Sequence, residues 1–382
     1  MSFSYFMRSS SASLFQKARA TGLTKRAKAS RYGFIDSIRG IAACLVLLQH
    51  SLYQSGLLGA WPGGVLTGFI PTWLELGETG VVAFFLVSGF VIPFSLERTG
   101  NFPLFWVHRA LRIYPLYVTV FVMTIVVSGG GGIHSIRGWL FNGLAHAFFL
   151  QEYLGQENFV GGSWTLSLEM VWYIGISSLF LVSLNKRPNI LVLLSVLVSV
   201  LAQISCALGH HLPMGRLSML LCCVFGLVCY RREQGDISNK HFALLFAVLS
   251  VAIMLNLLVG FQLYPGIHPS ASFKMVIVSW VLAAVMFFTA FFMRQASLWQ
   301  NSVFSFLGRI SYSVYLLHAV VLYVLSLIPL VSFQLICVAF VVTIGLSTLT
   351  YRFIELPPIR FGHSLKPKRA ISVTANASAK AG

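Results

Sequence analysis

The sequence predicts an all-α protein that crosses a membrane with about ten helices. Of the 382 residues, 57% are hydrophobic and only 10% are charged, whereas a soluble domain carries roughly a quarter charged residues. Apolar runs of about 18 or more residues recur along the chain, and each is long enough to cross the ~30 Å hydrocarbon core as a helix. Because these runs lack the alternation of barrel strands, a helical bundle is the expected fold.

The distribution of basic residues supports this fold and predicts its orientation. With the N-terminus in the cytoplasm, 24 of the 27 Lys and Arg residues lie on the cytoplasmic side of the spans. This is what the positive-inside rule requires, so both termini are predicted to be cytoplasmic. The net charge of +17 is therefore a topology signal and does not indicate nucleic-acid binding. The predicted spans cover residues 35–54, 79–97, 113–128, 166–184, 189–208, 215–230, 241–259, 273–293, 310–329 and 332–351.

A single membrane domain, residues 32–360, is predicted between two polar tails. Residues 1–31 are rich in Ser, Ala, Lys and Arg, which indicates a disordered basic cytoplasmic tail; an organelle transit peptide has a similar composition and is the alternative. Residues 361–382 are predicted to be a disordered cytoplasmic tail. Residues 136–150 are too short and too polar to span, so we expect an interfacial or re-entrant helix there.

The six cysteines all fall within predicted spans, and none has the spacing of metal ligands. They are Cys44, Cys206, Cys222, Cys223, Cys229 and Cys337. We interpret them as small packing residues, and no metal site is predicted.

Arg39 and His50 are polar residues at the two ends of one apolar stretch, "RGIAACLVLLQH". Eleven residues at 100° each leave about 20° after three turns, so both side chains project from one helix face, about 16 Å apart along the axis. Polar side chains at such depth usually face a cavity and have a function. The structural alternative is that Arg39 is an anchor at the cytoplasmic side and His50 is a hydrogen-bonded packing residue.

Further polar groups lie in the third and fourth spans. Arg109 and Arg112 are spaced i and i+3 at a cytoplasmic helix start, where their planar guanidiniums can hold phosphates; positive-inside flanking is the alternative. Glu169 lies about one turn into the fourth span, at a depth similar to that of His50. Because a buried carboxylate needs a cationic or hydrogen-bonding partner, we expect it beside His50, with pairing to an arginine as the alternative.

The last two spans contribute an aromatic and imidazole group and a closing carboxylate. The first group consists of Tyr312, Tyr315 and His318. Glu355 closes the last span, where we expect an ion pair with Arg352. Near the N-terminus, Asp36 precedes Arg39 by three residues and is expected to pair with it.

Six segments, in this order along the chain, resemble the acyltransferase 3 family of integral-membrane O-acyltransferases. They are "FIDSIRGIAACLVLLQH", "FFLVSGFVI" with Ser88, "RALRIYP" with Tyr114, "WTLSLEMVWY" with Trp164, "SYSVYLLH" and "FIELP". The resemblance covers about residues 32 to 360, nearly the whole bundle. Some members of the family carry an extracytoplasmic esterase-like domain, and this chain resembles the stand-alone members.

The resemblance implies transfer of an acyl group, with acetyl expected, from cytosolic acyl-CoA to a hydroxyl of an exported or lipid-linked saccharide, such as an exopolysaccharide, in the bacterial inner membrane. The expected acyl-CoA-binding residues are Arg109, Arg112, Ser88 and Tyr114. We expect three catalytic residues: His50 as general base, Glu169 orienting its ring, and Arg39 assisting. Substrate or structural roles are expected for Asp36, Trp164, Tyr312, Tyr315 and His318. The reaction needs no metal.

Other interpretations remain open at this point. His50 could carry the acyl group covalently as a relay across the bilayer. Buried charged residues also mark transporters, so a transporter or flippase of a glycolipid or small solute is the alternative function, although we find no internal repeat of the kind such proteins usually contain. A structural or sensory protein would leave the Arg39–His50 spacing unexplained. The sequence defines neither the acyl group, the acceptor nor the oligomeric state.

Overall fold

The computed structural model describes residues 32–57, 73–129, 135–265 and 272–365. Within these residues the fold is helical, and ten helices are long and apolar enough to cross a membrane. The predicted all-α polytopic fold is confirmed. In chain order the helices are α1 (Gly33–Gln54), α2 (Leu76–Thr99), α3 (Phe102–Ser128), α4 (Ile136–Ala147), α5 (Ser163–Leu181), α6 (Pro188–Ala207), α7 (Met214–Gln234), α8 (Asn239–Leu258), α9 (Phe273–Phe292), α10 (Ser302–Ser326), α11 (Ser332–Thr350) and α12 (Leu356–Ser364).

Two helices begin well before the predicted spans. Helix α3 begins at Phe102 rather than 113, because the side chain of Asn101 caps it by accepting the Leu104 N–H at 2.9 Å. Helix α10 begins at Ser302 rather than 310, with Asn301 as its cap. The first turns of both helices are largely apolar, but the basic residues Arg109 and Arg112 in α3 and Arg309 in α10 lower the hydropathy there, so the predicted spans begin only after them although the caps mark the true starts.

The C-terminal end of the bundle differs from the prediction as well. Helix α11 is followed by a π-helical turn, Tyr351–Glu355, and then by α12. Residues 361–364, predicted as the start of a disordered tail, are therefore helical, and the Gly362 carbonyl accepts a hydrogen bond from His108 Nε2 at 2.9 Å. The predicted tail at 1–31 and the rest of the predicted C-terminal tail lie outside the described residues.

Helix α1 occupies the middle of the bundle, packed between α2 and α10. Gly308 of α10 lies against the backbone of Asp36 in α1, and a Cβ there would come closer than 3.0 Å to the Asp36 carbonyl. Gly40 approaches the Phe304 carbonyl in the same way. Small residues at both positions let the two backbones touch, which is common in membrane helix packing. This contact fixes the two helices that carry half of the predicted site residues.

Helices α2 and α7 make a second close contact. Gly89 lies against the Cys223 backbone, and Gly226 lies against the Leu86 carbonyl, so neither position has room for a side chain. All six cysteines are free, and four of them are buried. Their burial among apolar side chains agrees with the packing role predicted for them.

A buried ion pair ties the ends of α2 and α7 together. Arg231 is 1% exposed, and its guanidinium donates to Glu97, to the Asn185 carbonyl at 2.9 Å and to Asp236 at 3.1 Å. Tyr230 donates to the same Glu97 carboxylate at 2.7 Å. We call this end of the bundle the inner end, which the charge distribution predicts to be cytoplasmic, and the opposite end the outer end.

Helix α4 lies at the outer end and is held by one buried histidine. His146 Nε2 donates to the Glu157 carbonyl at 2.9 Å, and His146 Nδ1 accepts from the Tyr117 hydroxyl at 2.7 Å. Burial lowers the pKa of His146, while the hydrogen bond to Glu157 acts against that shift. The helix predicted between 136 and 150 is thereby anchored to α3.

Candidate functional site

A cavity of about 240 Å³ lies inside the bundle between α1, α2, α3, α5 and α10. Its polar wall contains three guanidiniums, one carboxylate and several hydroxyls, and the rest of the wall is apolar. The polar lining residues are Arg39, Arg109, Arg112, Glu169, Ser88, Thr165, Tyr173, Ser311, Tyr312 and Tyr315. The lining has three guanidiniums and one carboxylate, and with Asp36 beside Arg39 it still carries an excess of positive charge that favours a negatively charged group.

The two arginines of α3 are held differently. Arg109 donates to Ser95 Oγ at 2.6 Å, and its guanidinium lies over the rings of Phe105 and Tyr173. Its buried Nε has no hydrogen-bond partner in the described part of the chain. Arg112 makes no hydrogen bond or ion pair with any residue that the structure describes, although it lines the cavity. Guanidinium donors left unused in a buried wall fit a group with several anionic oxygens.

Glu169 faces the same cavity from α5. Its Oε1 accepts hydrogen bonds from Ser88 Oγ at 3.1 Å and from the Tyr173 hydroxyl at 2.6 Å. The carboxylate is therefore satisfied by hydroxyls, and it offsets part of the positive charge of the wall. Across the cavity, the Arg39 guanidinium lies 3.9 Å from the Asp36 carboxylate, the pairing expected from their spacing.

Glu355 does not make the ion pair expected for it. Its carboxylate is buried and accepts a hydrogen bond from Ser313 of α10, whereas the Arg352 guanidinium lies over the Phe353 ring. Arg352 and Glu355 both lie in the π-helical turn Tyr351–Glu355, whose i→i+5 hydrogen bonding departs from the α-helical spacing on which the expected pair depends. Glu355 Oε2 has no hydrogen-bond partner among the described residues.

His50 lies near the outer end of α1, and its side chain is exposed. Its Nδ1 is 2.8 Å from the carbonyl of Val46, one turn earlier. Since a carbonyl only accepts, Nδ1 carries the proton in the neutral ring and the lone pair is on Nε2. The α1 backbone itself therefore sets the tautomer that a general base needs.

The neighbour of His50 is a second histidine. The rings of His50 and His318 have centroids 4.9 Å apart, and His318 is 3% exposed, with its Nδ1 2.7 Å from the Tyr315 carbonyl. The Tyr315 ring lines the cavity on one side and lies 5.9 Å from the His318 ring on the other. Tyr315 thus separates the arginine-lined cavity from the histidine pair.

Glu169 and His50, predicted as neighbours, are not brought together. Glu169 belongs to the cavity wall, whereas His50 is outside the cavity lining and contacts His318. Which helices are neighbours could not be read from the sequence. Helix α5 packs against α2, while α1 packs against α10 and α2.

Two further residues expected at the site lie elsewhere. The Tyr114 hydroxyl donates to the Ala147 carbonyl at 2.6 Å and ties α3 to α4. The Trp164 ring lies 5.8 Å from the guanidinium carbon of Arg216 at the outer end. Neither lines the cavity. By contrast, Tyr312 does, and its hydroxyl donates to the Ile113 carbonyl at 2.9 Å.

The sequence analysis missed several residues of this region. Tyr173 follows Glu169 by four residues, so helical spacing alone places it on the same face and could have identified it. Thr165 is recognisable only from its 3.0 Å contact with the Tyr315 hydroxyl, which joins α5 to α10. Glu75 precedes the first turn of α2, and no local pattern in the sequence marks it.

The comparison with known proteins decides the family. Residues 32–352 match the family described as "Acyltransferase domain". The chain belongs to the acyltransferase 3 family. Membership of this family and the ten apolar helices together show that the chain is a multi-pass integral membrane protein. Membership favours acyl transfer over the transporter alternative.

Three curated relatives match part of the chain. Nodulation protein 10 of Rhizobium leguminosarum bv. viciae is 32% identical over 36% of this chain and 41% of its own length. The O-acetyl transferase of Shigella phage Sf6 is 28% identical over 43% of this chain and 50% of its own length. Acyltransferase MdmB of Streptomyces mycarofaciens is 31% identical over 37% of each chain. The matches thus span half or less of each relative's length, and no solved structure matches the chain.

Proposed function

We propose that this protein is a membrane-bound O-acyltransferase that moves an acyl group, with acetyl as the preferred one, from cytosolic acyl-CoA to a hydroxyl of an exported or lipid-linked saccharide. The proposed location of the protein is the bacterial inner membrane. The observation that carries the proposal is the cavity wall of three guanidiniums and one carboxylate, in a chain of the acyltransferase 3 family. Relatives named O-acetyl transferase and acyltransferase support the same reaction class.

The donor is bound at the arginine-lined cavity. Arg112 has unused donors, and Arg109 keeps one orphaned N–H, so both residues can hold phosphate oxygens. The cavity volume of about 240 Å³ is below the roughly 300–1,000 Å³ of sites that enclose whole drug-sized ligands. It therefore takes only part of a molecule of CoA size, with the remainder at the inner end.

The acyl group reaches the histidine pair past Tyr315. The Tyr315 hydroxyl is held by Thr165 at 3.0 Å and by the Gly162 carbonyl at 3.4 Å. Swinging the ring aside breaks these hydrogen bonds and also the contact of the buried ring with Phe84, whose ring centroid lies 5.8 Å away. Tyr315 is the gate between donor and acceptor in this proposal.

His50 acts as the general base. Its Nε2 lone pair takes the proton of the acceptor hydroxyl as the oxygen attacks the thioester carbonyl carbon, and the carbon–sulfur bond then breaks. The imidazolium returns the proton to the departing thiolate. The sulfur leaves as a thiol, the acyl group is esterified to the acceptor, and His50 is neutral again.

The test measures donor binding and the fate of the label. Purified protein in nanodiscs is titrated with acetyl-CoA, and the Arg112→Ala variant is compared with Arg352→Ala, a matched inner-end arginine outside the cavity lining. We expect Arg112→Ala to weaken binding by about tenfold or more, since a charged hydrogen bond contributes roughly 1.5–3 kcal/mol. Arg352→Ala should bind as the wild type does.

Radiolabelled acetyl-CoA then separates the two mechanisms. With His50 as general base, no label remains on the protein when acceptor is absent. Label that stays bound in the wild type and disappears in His50→Ala would identify the covalent relay instead. A wild-type protein that does not bind acetyl-CoA would refute acyl transfer and restore the flippase alternative.

A further inference from the structure

The outer end of α1 contains a polar group outside the arginine-lined cavity. His50 is exposed there, and Tyr53, three residues later on the same side of the helix, is 52% exposed. The Tyr53 hydroxyl donates to Glu75 Oε2 at 3.1 Å. An exposed imidazole, a phenol and a carboxylate thus meet at the end of the bundle remote from Arg112.

Glu75 is a carboxylate that interacts electrostatically with His50. Burial raises the pKa of the Glu75 carboxyl, while the Tyr53 hydrogen bond and the positive charge that His50 can carry lower it. By contrast, Glu169, which the sequence suggested as the partner of His50, is bound to Ser88 and Tyr173 in the cavity wall. The nearby carboxylate that the base needs therefore comes from the start of α2.

The position of Glu75 is fixed by its backbone. Its N–H donates to Ser279 Oγ at 2.8 Å, and its carbonyl accepts from the Thr79 N–H at 3.0 Å. The fully buried Gln49 accepts the N–H of Leu76 at 3.1 Å and locks the end of α1 to the start of α2. Glu75 Oε1 accepts no hydrogen bond from any residue that the structure describes, so a rigidly placed carboxylate oxygen is left over.

We propose that His50, Tyr53 and Glu75 form the acceptor subsite, which binds a saccharide presented from the outer end. This inference rests on the proposed function and assigns the acceptor substrate to a site at the outer end of α1. The acceptor's reacting hydroxyl faces His50 Nε2, and a neighbouring hydroxyl donates to Glu75 Oε1. The half-exposed ring of Tyr53 supplies a flat apolar face for the sugar ring.

The chemistry of the subsite selects a polyol over a simple alcohol. An ionised carboxylate only accepts hydrogen bonds, and an Nε2 lone pair does the same, so together they bind two donors close to each other. Vicinal hydroxyls of a sugar provide that pair, whereas an acceptor with one hydroxyl satisfies only one of them. The ionised Glu75 also stabilises the imidazolium that forms on His50 during transfer.

The test separates the acceptor from the donor. Wild-type protein in nanodiscs receives acetyl-CoA and, in turn, N-acetylglucosamine, methyl glucoside and octyl glucoside, and release of free CoA thiol is followed against sugar concentration. The variants are Glu75→Gln and Tyr53→Phe. The matched control is Glu78→Gln, a carboxylate one turn further along α2 that accepts from Trp280 Nε1 at 2.7 Å.

We expect Glu75→Gln to raise the KM for sugar by about tenfold, the effect of losing one charged hydrogen bond, and to leave the Kd for acetyl-CoA within about twofold. Tyr53→Phe should act in the same direction and more weakly, and Glu78→Gln should leave both values unchanged. Equal effects of Glu75→Gln and Glu78→Gln, or a parallel loss of donor affinity, would overturn the subsite.

Two outcomes with the wild type are also decisive. Protein that binds acetyl-CoA but acetylates none of the three sugars overturns the saccharide subsite and leaves the donor site standing. Protein that fails to bind acetyl-CoA overturns the proposed function itself, and the subsite with it. The donor-binding measurement therefore distinguishes the two failures.

Discussion

His50 and His318 lie against each other with ring centroids 4.9 Å apart, and each ring is fixed through Nδ1 by a backbone carbonyl of its own helix. The carbonyls belong to Val46 in α1 and to Tyr315 in α10. Because α1 and α10 are in direct backbone contact at Gly308, the distance between the two rings is set by rigid elements. The exposed histidine is thus supported on one side by a buried one.

This support predicts a positioning role for His318. In His318→Asn the ring contact is lost and His50 gains freedom to rotate, so we expect kcat to fall about tenfold, ~1.4 kcal/mol of transition-state stabilisation. The Kd for acetyl-CoA should not change, because the arginines are untouched. The control is His363→Asn, an inner-end histidine whose ring lies 5.5 Å from that of His108. An unchanged kcat in His318→Asn would show that the contact is only packing.

The Arg231–Glu97 ion pair is predicted to maintain the fold of the inner end. In Arg231→Met, the partly buried Glu97 carboxylate loses its cation, and a lost hydrogen bond to a charged group costs roughly 1.5–3 kcal/mol. We expect a clear drop in the thermal midpoint measured by fluorescence-detected size exclusion. Arg232→Met, the neighbouring residue, should change it little, because Arg232 is only half-buried and bonds to Asn239. Acetyl-CoA affinity per folded Arg231→Met molecule should equal that of the wild type.

Gly308 is predicted to tolerate no side chain. Its Cβ in Gly308→Ala would overlap the Asp36 carbonyl, so α1 and α10 would have to separate. Overpacking of this kind costs roughly 1–3 kcal/mol, and here it also displaces His318 from His50. The matched variant is Gly345→Ala in α11, where a Cβ meets nothing within 4 Å. A Gly308→Ala protein as stable and as active as Gly345→Ala would contradict the close contact.

Docking of α4 is predicted to depend on pH through His146. Burial lowers the pKa of His146 when α4 is docked against α3. His146 therefore binds a proton more readily when α4 is detached from α3. Docking is therefore strongest above the unperturbed pKa of about 6.5 and weakens as pH falls below it. Hydrogen exchange of residues 136–147, corrected for intrinsic rates, should rise between pH 7.5 and 5.5. His146→Gln, which does not titrate, should abolish that change; an identical rise in the variant would exclude His146 as its cause.

Much of the architecture was predictable because lipid permits few solutions. Hydropathy located ten spans, since every one of them must hide its backbone polar groups in a helix about as long as the bilayer is thick. The starts of α3 and α10 were misplaced because Arg109, Arg112 and Arg309 lower the hydropathy of these otherwise largely apolar helix starts, which Asn101 and Asn301 cap. Helix caps are recognised by side chains that accept backbone hydrogen bonds, and a hydropathy profile does not record this property.

The candidate site was predictable in its parts and not in its assembly. Helical spacing put Arg109 beside Arg112 on one face, and the structure finds both in the cavity wall. The expected pairing of Glu169 with His50 failed, because the sequence does not indicate which side chains on different helices face each other. The Glu355 orientation failed for another reason, since a π-turn has no signature in hydropathy.

The sequence by itself determined the membrane environment, the number of spans, the family and the faces on which Arg39, Arg112 and His50 lie. These follow from period and composition, which are local properties of the chain. Only the tertiary structure decided that His318, rather than Glu169, lies against His50, and that Tyr53, one turn along the same helix, bonds to Glu75. The physical reason is that the rotation and position of one helix relative to another depend on contacts between residues far apart in the chain. The packing of Gly308 against the Asp36 backbone is such a contact.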